Sequence, residues 1–193
     1  MSKEQVVYTS PGGWLELIET PNKFYYSRRK GRDSVAVFLV DLAKQLVLVR
    51  WQPLPRHNAD LDSEQKLFPC PITGSIDEGE TPLQAATREV LEESGYSVTP
   101  IYLFDYLVGT QSDELVHMFY AFVDSSLNVN GQQDGTFFES ISKNEWLPIN
   151  KLKDFNYVAC RLFYLFNEVT WQGIELEDLR LSNELLNKQV KAN

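Results

Sequence analysis

Two runs of apolar, largely β-branched residues, Val35-Ala-Val-Phe-Leu-Val40 and Leu46-Val-Leu-Val-Arg50, flank a polar segment that begins at Asp41. The pattern predicts two strands joined as a hairpin. Upstream, Trp14-Leu-Glu-Leu-Ile18 alternates and Phe24-Tyr-Tyr26 follows a Pro21-Asn22 turn signal, so residues 6–33 read as short strands and turns. Residues 101–108 and 115–123 read as strands around a polar turn, and a further strand surrounds Glu145-Trp-Leu147. Helical periodicity appears over residues 81–94, 155–171 and 175–190. Residues 53–71 carry four prolines with Asn, Asp and Ser, and read as an irregular loop of a length that often carries function. Strands with few helices make this an α+β chain with a mostly antiparallel or mixed sheet. Three segments are expected: a β extension over 1–33, the main domain over 34–171 and a helical tail over 172–193.

The chain has 193 residues, 43% of them hydrophobic, enough for one domain with a sizeable core. Its longest apolar run, Val35 to Val40, is far too short to span a bilayer, and residues 1–13 lack the apolar segment of a secretory signal. Cys70 and Cys160 are the only cysteines, which excludes a disulfide framework and favours a reducing, cytoplasmic setting. A formal charge of −9 argues against nucleic-acid and anionic-membrane partners. A phosphate-bearing substrate therefore needs a local basic pocket or a bound cation.

Residues 74–95 concentrate the chemistry. Thr81 with Gln84 forms a capping box, Pro82 suits the first helical position, and Gly95 is placed to end the helix in a left-handed conformation. Leu83, Ala86, Val90 and Leu91 are expected as the buried stripe, with Arg88, Glu89, Glu92 and Glu93 opposite. Glu89, Glu92 and Glu93 share one face, where like charges repel and Arg88, four residues before Glu92, relieves part of the strain. Such a face is either solvated or a set of hard oxygen ligands of the kind Mg²⁺ or Mn²⁺ prefers.

The spacing Gly74-x5-Glu80-x7-Arg88-Glu89-Val90-x-Glu92-Glu93-x-Gly95 matches every fixed position of the Nudix box. The chain therefore resembles the Nudix hydrolases, with Tyr96 where an aliphatic residue is usual. The resemblance implies an α/β/α sandwich with a mixed sheet and hydrolysis of a nucleoside diphosphate derivative. It implies that Glu89 and Glu93 bind the catalytic metal, Mg²⁺ or Mn²⁺, with Glu92 as a further ligand or water contact and the Thr73 carbonyl as another. It also implies an Arg88–Glu80 ion pair that orients the helix, and close backbone approach at Gly74.

The N-terminal strands and the Val49-Arg50-Trp51-Gln52 hairpin end look like the ADP-ribose and nucleotide-sugar pyrophosphatase branch. In that branch the N-terminal strands build a homodimer and contribute aromatic and Arg contacts, for which Phe24, Tyr25, Tyr26, Arg28 and Arg29 are the matching types. Arg50 and Arg56 are candidate phosphate forks. A late-loop acid is expected to act in catalysis, Glu139 first and Glu114 second. The 109–114 loop lacks the proline usual in that branch. ADP-ribose or a nucleotide sugar leads as substrate. The alternatives are a triphosphate, dinucleotide or coenzyme, or a sensor that binds a nucleotide sugar without turnover. Isomerase chemistry on an isoprenoid diphosphate, which a relative of the fold performs, goes with an altered box and is disfavoured by the intact one. His57 reads as a surface residue and His117 as structural.

Overall fold

The two-sided burial of one strand organises the molecule. In the computed structural model, which describes residues 3–29, 31, 33–53, 67–127, 131 and 141–170, β4 (Ser34–Asp41) is buried along its whole length. Its side chains alternate between two cores. Val35, Val37 and Leu39 pack with Ala85, Ala86 and Val90 of helix α1 (Pro82–Ser94). Phe38 and Val40 pack with Ala159, Cys160 and Phe163 of helix α2 (Val158–Thr170), and Phe38 stacks on Phe163 at 4.3 Å between centroids. A strand covered on both faces must be apolar throughout, which explains the unbroken run. The result is the expected α/β/α sandwich in the α+β class.

The sheet is mixed. Parallel to β4 runs β9 (Leu115–Phe122), which pairs in turn with antiparallel β8 (Ile101–Leu107). On the other side the expected hairpin is only partly made. β4 and β5 (Leu46–Pro53) pair at Val40–Val47 and Asp41–Leu46 and then part. Into the fork come β6 (Leu67–Cys70), paired with β5, and β7 (Ile72–Ser75), paired with β4. The strand changes partner at Pro71, whose missing N–H removes a ladder bond there. The span expected to be one loop from 53 to 71 thus ends in a strand; residues 54–66 lie outside the described residues. Outside β5, β10 (Lys143–Pro148) pairs antiparallel.

A separate sheet of β1 (Gln5–Thr9), β2 (Leu15–Glu19) and β3 (Tyr25–Arg29) forms the N-terminal extension. It is tied to the 109–114 loop through Ser27, whose amide donates to the Gln111 carbonyl (2.9 Å) and whose carbonyl accepts from the Asp113 amide (3.2 Å). The second expected helix begins at Val158, after a 3-10 stretch over Ile149–Asp154. The helical tail expected over 175–190 lies outside the described residues, within which no helix is long and apolar enough to cross a membrane.

Candidate active site

Helix α1 starts and stops as its local sequence dictates. The Thr81 hydroxyl accepts from the Gln84 amide, the Gln84 side chain accepts from the Thr81 amide, and Gly95 closes the helix at φ 80°. The buried stripe differs from expectation: it comprises Ala85, Ala86, Val90 and Ser94, while Leu83 and Leu91 are 42% and 43% exposed. Small residues let the helix lie close to β4 and β7. That rotation turns two glutamates inward, with the Glu89 and Glu93 side chains only 13% and 10% exposed and Glu92 at 46%. Two of the three carboxylates on the acidic face are therefore withdrawn from solvent.

Glu89 crosses directly over β7. A Cβ added at Gly74 would fall on the Glu89 carboxylate, so only glycine leaves room for it. Burial pushes the Glu89 carboxyl above its usual range, and the Arg88 guanidinium 2.6 Å away offsets only part of this. Arg88 is the hub of the site. Its Nε and Nη2 donate to the two Glu80 oxygens at 3.0 and 2.9 Å, Nη2 also donates to the Ser75 carbonyl at 3.0 Å, and Nη1 reaches Glu92 at 3.3 Å. The Asp77–Glu80 turn, with Gly79 at φ 83°, holds Glu80 in place, and the Asp77 amide donates to Glu80 at 3.1 Å. The ion pair expected between Arg88 and Glu80 is present.

Arg88 holds the Glu80 carboxyl below its ordinary value of 4.5. An acid lowered in this way stabilises the fold above that value and loses the contribution as the pH falls through the folded-state value. Glu80→Gln is accordingly expected to lose about 1–2 kcal/mol at pH 7. The gap between variant and parent should close in acid, which urea unfolding at pH 7 and below pH 4 checks. A gap independent of pH would contradict the assignment.

Arg50, expected as a phosphate fork, lies against the box helix. Its side chain is 5% exposed, and its Nε faces Glu93 Oε1 at 3.0 Å rather than an open phosphate position. The pairing of Asn144 with Arg50 across β10 and β5 brings a second contact, since Asn144 Nδ2 donates to the Glu93 carbonyl at 2.8 Å. Gly131 lies so close to the helix end that a Cβ there would meet the Glu93 carbonyl. Beside Arg50 and Glu93 opens a cavity of about 560 Å³, bounded also by Tyr96, Ser125, Lys143 and Trp146. Asn144, Gly131 and Lys143 carried no sequence signal.

Two buried carboxylates one helical turn apart, one cradled on a glycine, fit a hard divalent cation. Mg²⁺ characteristically takes one or two carboxylates and completes its shell with waters and phosphate oxygens. Among the described residues no group of three or more His, Cys, Asp or Glu side chains is placed to hold a metal ion, so the fit rests on the Glu89 and Glu93 pair. Thr73 lies on β7 opposite Ala36, one residue before the Gly74 cradle.

The remaining candidates separate. Arg28 pairs with Asp113 and Glu4, each at 3.2 Å, and Arg29 with Glu114 at 3.2 Å, so both sit on the seam between the two sheets rather than on an open basic patch. Tyr25 donates to Glu19 at 2.6 Å. Glu114 also accepts from the Ser34 hydroxyl at 2.6 Å, a docking role for the second-choice catalytic acid. The first choice, Glu139, and Arg56 and His57 lie outside the described residues. His117 makes a cross-strand contact with Asp105 at 2.7 Å, as a structural histidine does. Cys70 and Cys160 are free and buried, and burial pushes the Cys70 thiol up to about 12.

A search of curated proteins finds no match. The family model for the NUDIX domain matches residues 30–163, more than two thirds of the chain, and spans β4 to β10, helix α1 and the first part of helix α2. The chain belongs to the Nudix family.

Proposed function

We propose that this Nudix hydrolase uses Mg²⁺ to cleave the diphosphate of ADP-ribose or a nucleotide sugar, releasing a nucleoside monophosphate and a sugar phosphate. Family membership establishes the coarser statement: a hydrolase of phosphorus-containing anhydrides, in a family whose members bind small nucleotides and generally use a divalent metal. The observation that carries the site assignment is the Glu89 carboxylate lying over Gly74, with Glu93 one turn further along the same inward face.

When bound, the cation supplies charge neutralisation on the diphosphate oxygens and a water of lowered pKa. The chain's own residues supply the geometry. Glu89 and Glu93 would supply carboxylate oxygens to the cation, and Arg88 fixes Glu89 while Glu80 and the Ser75 carbonyl fix Arg88. Glu92, half exposed on the same helix, would be a further ligand or the water contact. Glu139 is retained as the candidate late-loop acid.

For the finer choice of substrate, the support is the N-terminal sheet, docked on the 109–114 loop through Ser27 and the Arg28–Asp113 ion pair. The sheet leaves Val6, Tyr8, Trp14 and Leu17 exposed, Trp14 by 60%. Tyr8 and Leu17 lie opposite each other across β1 and β2, and exposed apolar pairs of this kind support a homodimer through the N-terminal sheet. The pairing of Arg28 and Arg29 with Asp113 and Glu114 favours a second reading, in which the same chemistry acts on another nucleotide. A panel of ADP-ribose, nucleotide sugars, triphosphates, dinucleotides and NADH, assayed with Mg²⁺, separates the two. Fastest turnover of ADP-ribose or a nucleotide sugar is expected; fastest turnover of a triphosphate, dinucleotide or NADH selects the second reading. In parallel, Leu17→Glu is expected to convert a dimer to a monomer in light scattering, and a monomeric parent protein would contradict the homodimer.

A further inference from the structure

Arg50 lies outside the box, on β5, yet its guanidinium is buried against a box glutamate. Its Nε has no hydrogen-bond acceptor among the described residues despite standing 3.0 Å from Glu93 Oε1. At Nε the contact is thus an ion pair at close range without hydrogen-bond geometry. Arg88, by contrast, donates a hydrogen bond to Glu89 and is also anchored on both Glu80 oxygens. Among the described residues Arg50 has no carboxylate other than Glu93 within ion-pair distance.

We propose that Arg50 is a positioning residue that holds the Glu93 carboxylate in the metal-free protein and sets how tightly that carboxylate takes up a divalent cation. This rests on the metal-site reading above. A fixed guanidinium beside a ligand carboxylate repels an incoming divalent cation, and in a site shielded from water that repulsion is only weakly screened. The same guanidinium offsets part of the negative charge that Glu93 adds beside Glu89 and Glu92. Arg50 therefore favours the metal-free state and lowers cation affinity, so that the site fills reversibly.

Mn²⁺ titration of the full chain without nucleotide, followed by electron paramagnetic resonance, tests this. Arg50→Gln is expected to bind Mn²⁺ about tenfold more tightly than the parent, whereas Arg50→Lys, which keeps the charge, stays near parental affinity. Equal or weaker binding by Arg50→Gln would overturn the proposal. An absence of Mn²⁺ binding by the parent would overturn the metal-site reading itself. Thermal unfolding in EDTA covers the case in which Arg50→Gln fails to fold. Glu93→Gln, which strands the arginine, should unfold at a lower temperature than the parent, and the double variant Arg50→Gln/Glu93→Gln should recover part of that loss. A double variant no more stable than Glu93→Gln would also overturn the proposal.

Discussion

Glu89→Gln is expected to lower Mg²⁺-dependent turnover by about a thousandfold, because a ligand that contributes several kcal/mol of charge stabilisation in the transition state becomes a neutral amide. The same substitution should leave the metal-free fold as stable as the parent or more so. Burial raises the Glu89 carboxyl, so the folded protein works against its charged form; that penalty grows as the pH rises above the ordinary carboxylate range, and a glutamine does not incur it. Activity and stability should therefore move in opposite directions, as is common where a site is built at the expense of the fold. Glu93→Gln should show a comparable loss of rate with the opposite stability effect, about 3 kcal/mol of destabilisation, because it strands the buried Arg50 charge. Steady-state rates beside unfolding in EDTA check both. Parental turnover by Glu89→Gln would remove it from the metal site.

Gly74→Ala is the second large effect. The backbone at Gly74 does not adopt a positive φ, so the requirement is for space: the added methyl would occupy the position of the Glu89 carboxylate. Either β7 or the glutamate must move. Overpacking of this kind costs about 1–3 kcal/mol, and displacing a reacting group by about 1 Å lowers rates about a hundredfold. The expected result is a folded protein with a modestly lower unfolding temperature and a rate reduced by about two orders of magnitude. Parental turnover with unchanged stability would show that Glu89 does not need the Gly74 cradle. Gly95 serves differently: its φ of 80° closes the helix, and alanine there should mainly lower stability.

What the sequence revealed and what it hid follow one physical division. Helix α1 was readable to within a residue because its signals are local: the Thr81–Gln84 box, Pro82 and Gly95 act on neighbours in the chain. β4 was readable because burial on both faces leaves an unbroken apolar run. β6 was hidden by Pro69 and Pro71, tolerable where a strand pairs on one side and then changes partner. The buried stripe of α1 was half legible: Ala86 and Val90 are buried as expected, but hydrophobicity also pointed to Leu83 and Leu91, whereas close approach to the sheet selects Ala85 and Ser94. The roles of Arg28, Arg29 and Arg50 could not be read at all. Whether an arginine meets a substrate phosphate or a glutamate from a distant segment is decided by tertiary placement, and the sequence presents only its charge.

The most direct test is release of nucleoside monophosphate from ADP-ribose and a nucleotide sugar by the full chain, measured with Mg²⁺, after EDTA, and after Mg²⁺ is restored. The account predicts release with Mg²⁺, none after EDTA, recovery on restoration, and release near the detection limit for Glu89→Gln under all three conditions. Release that persists through EDTA, or that Glu89→Gln retains, would contradict a metal-dependent hydrolase built on the Glu89 and Glu93 carboxylates.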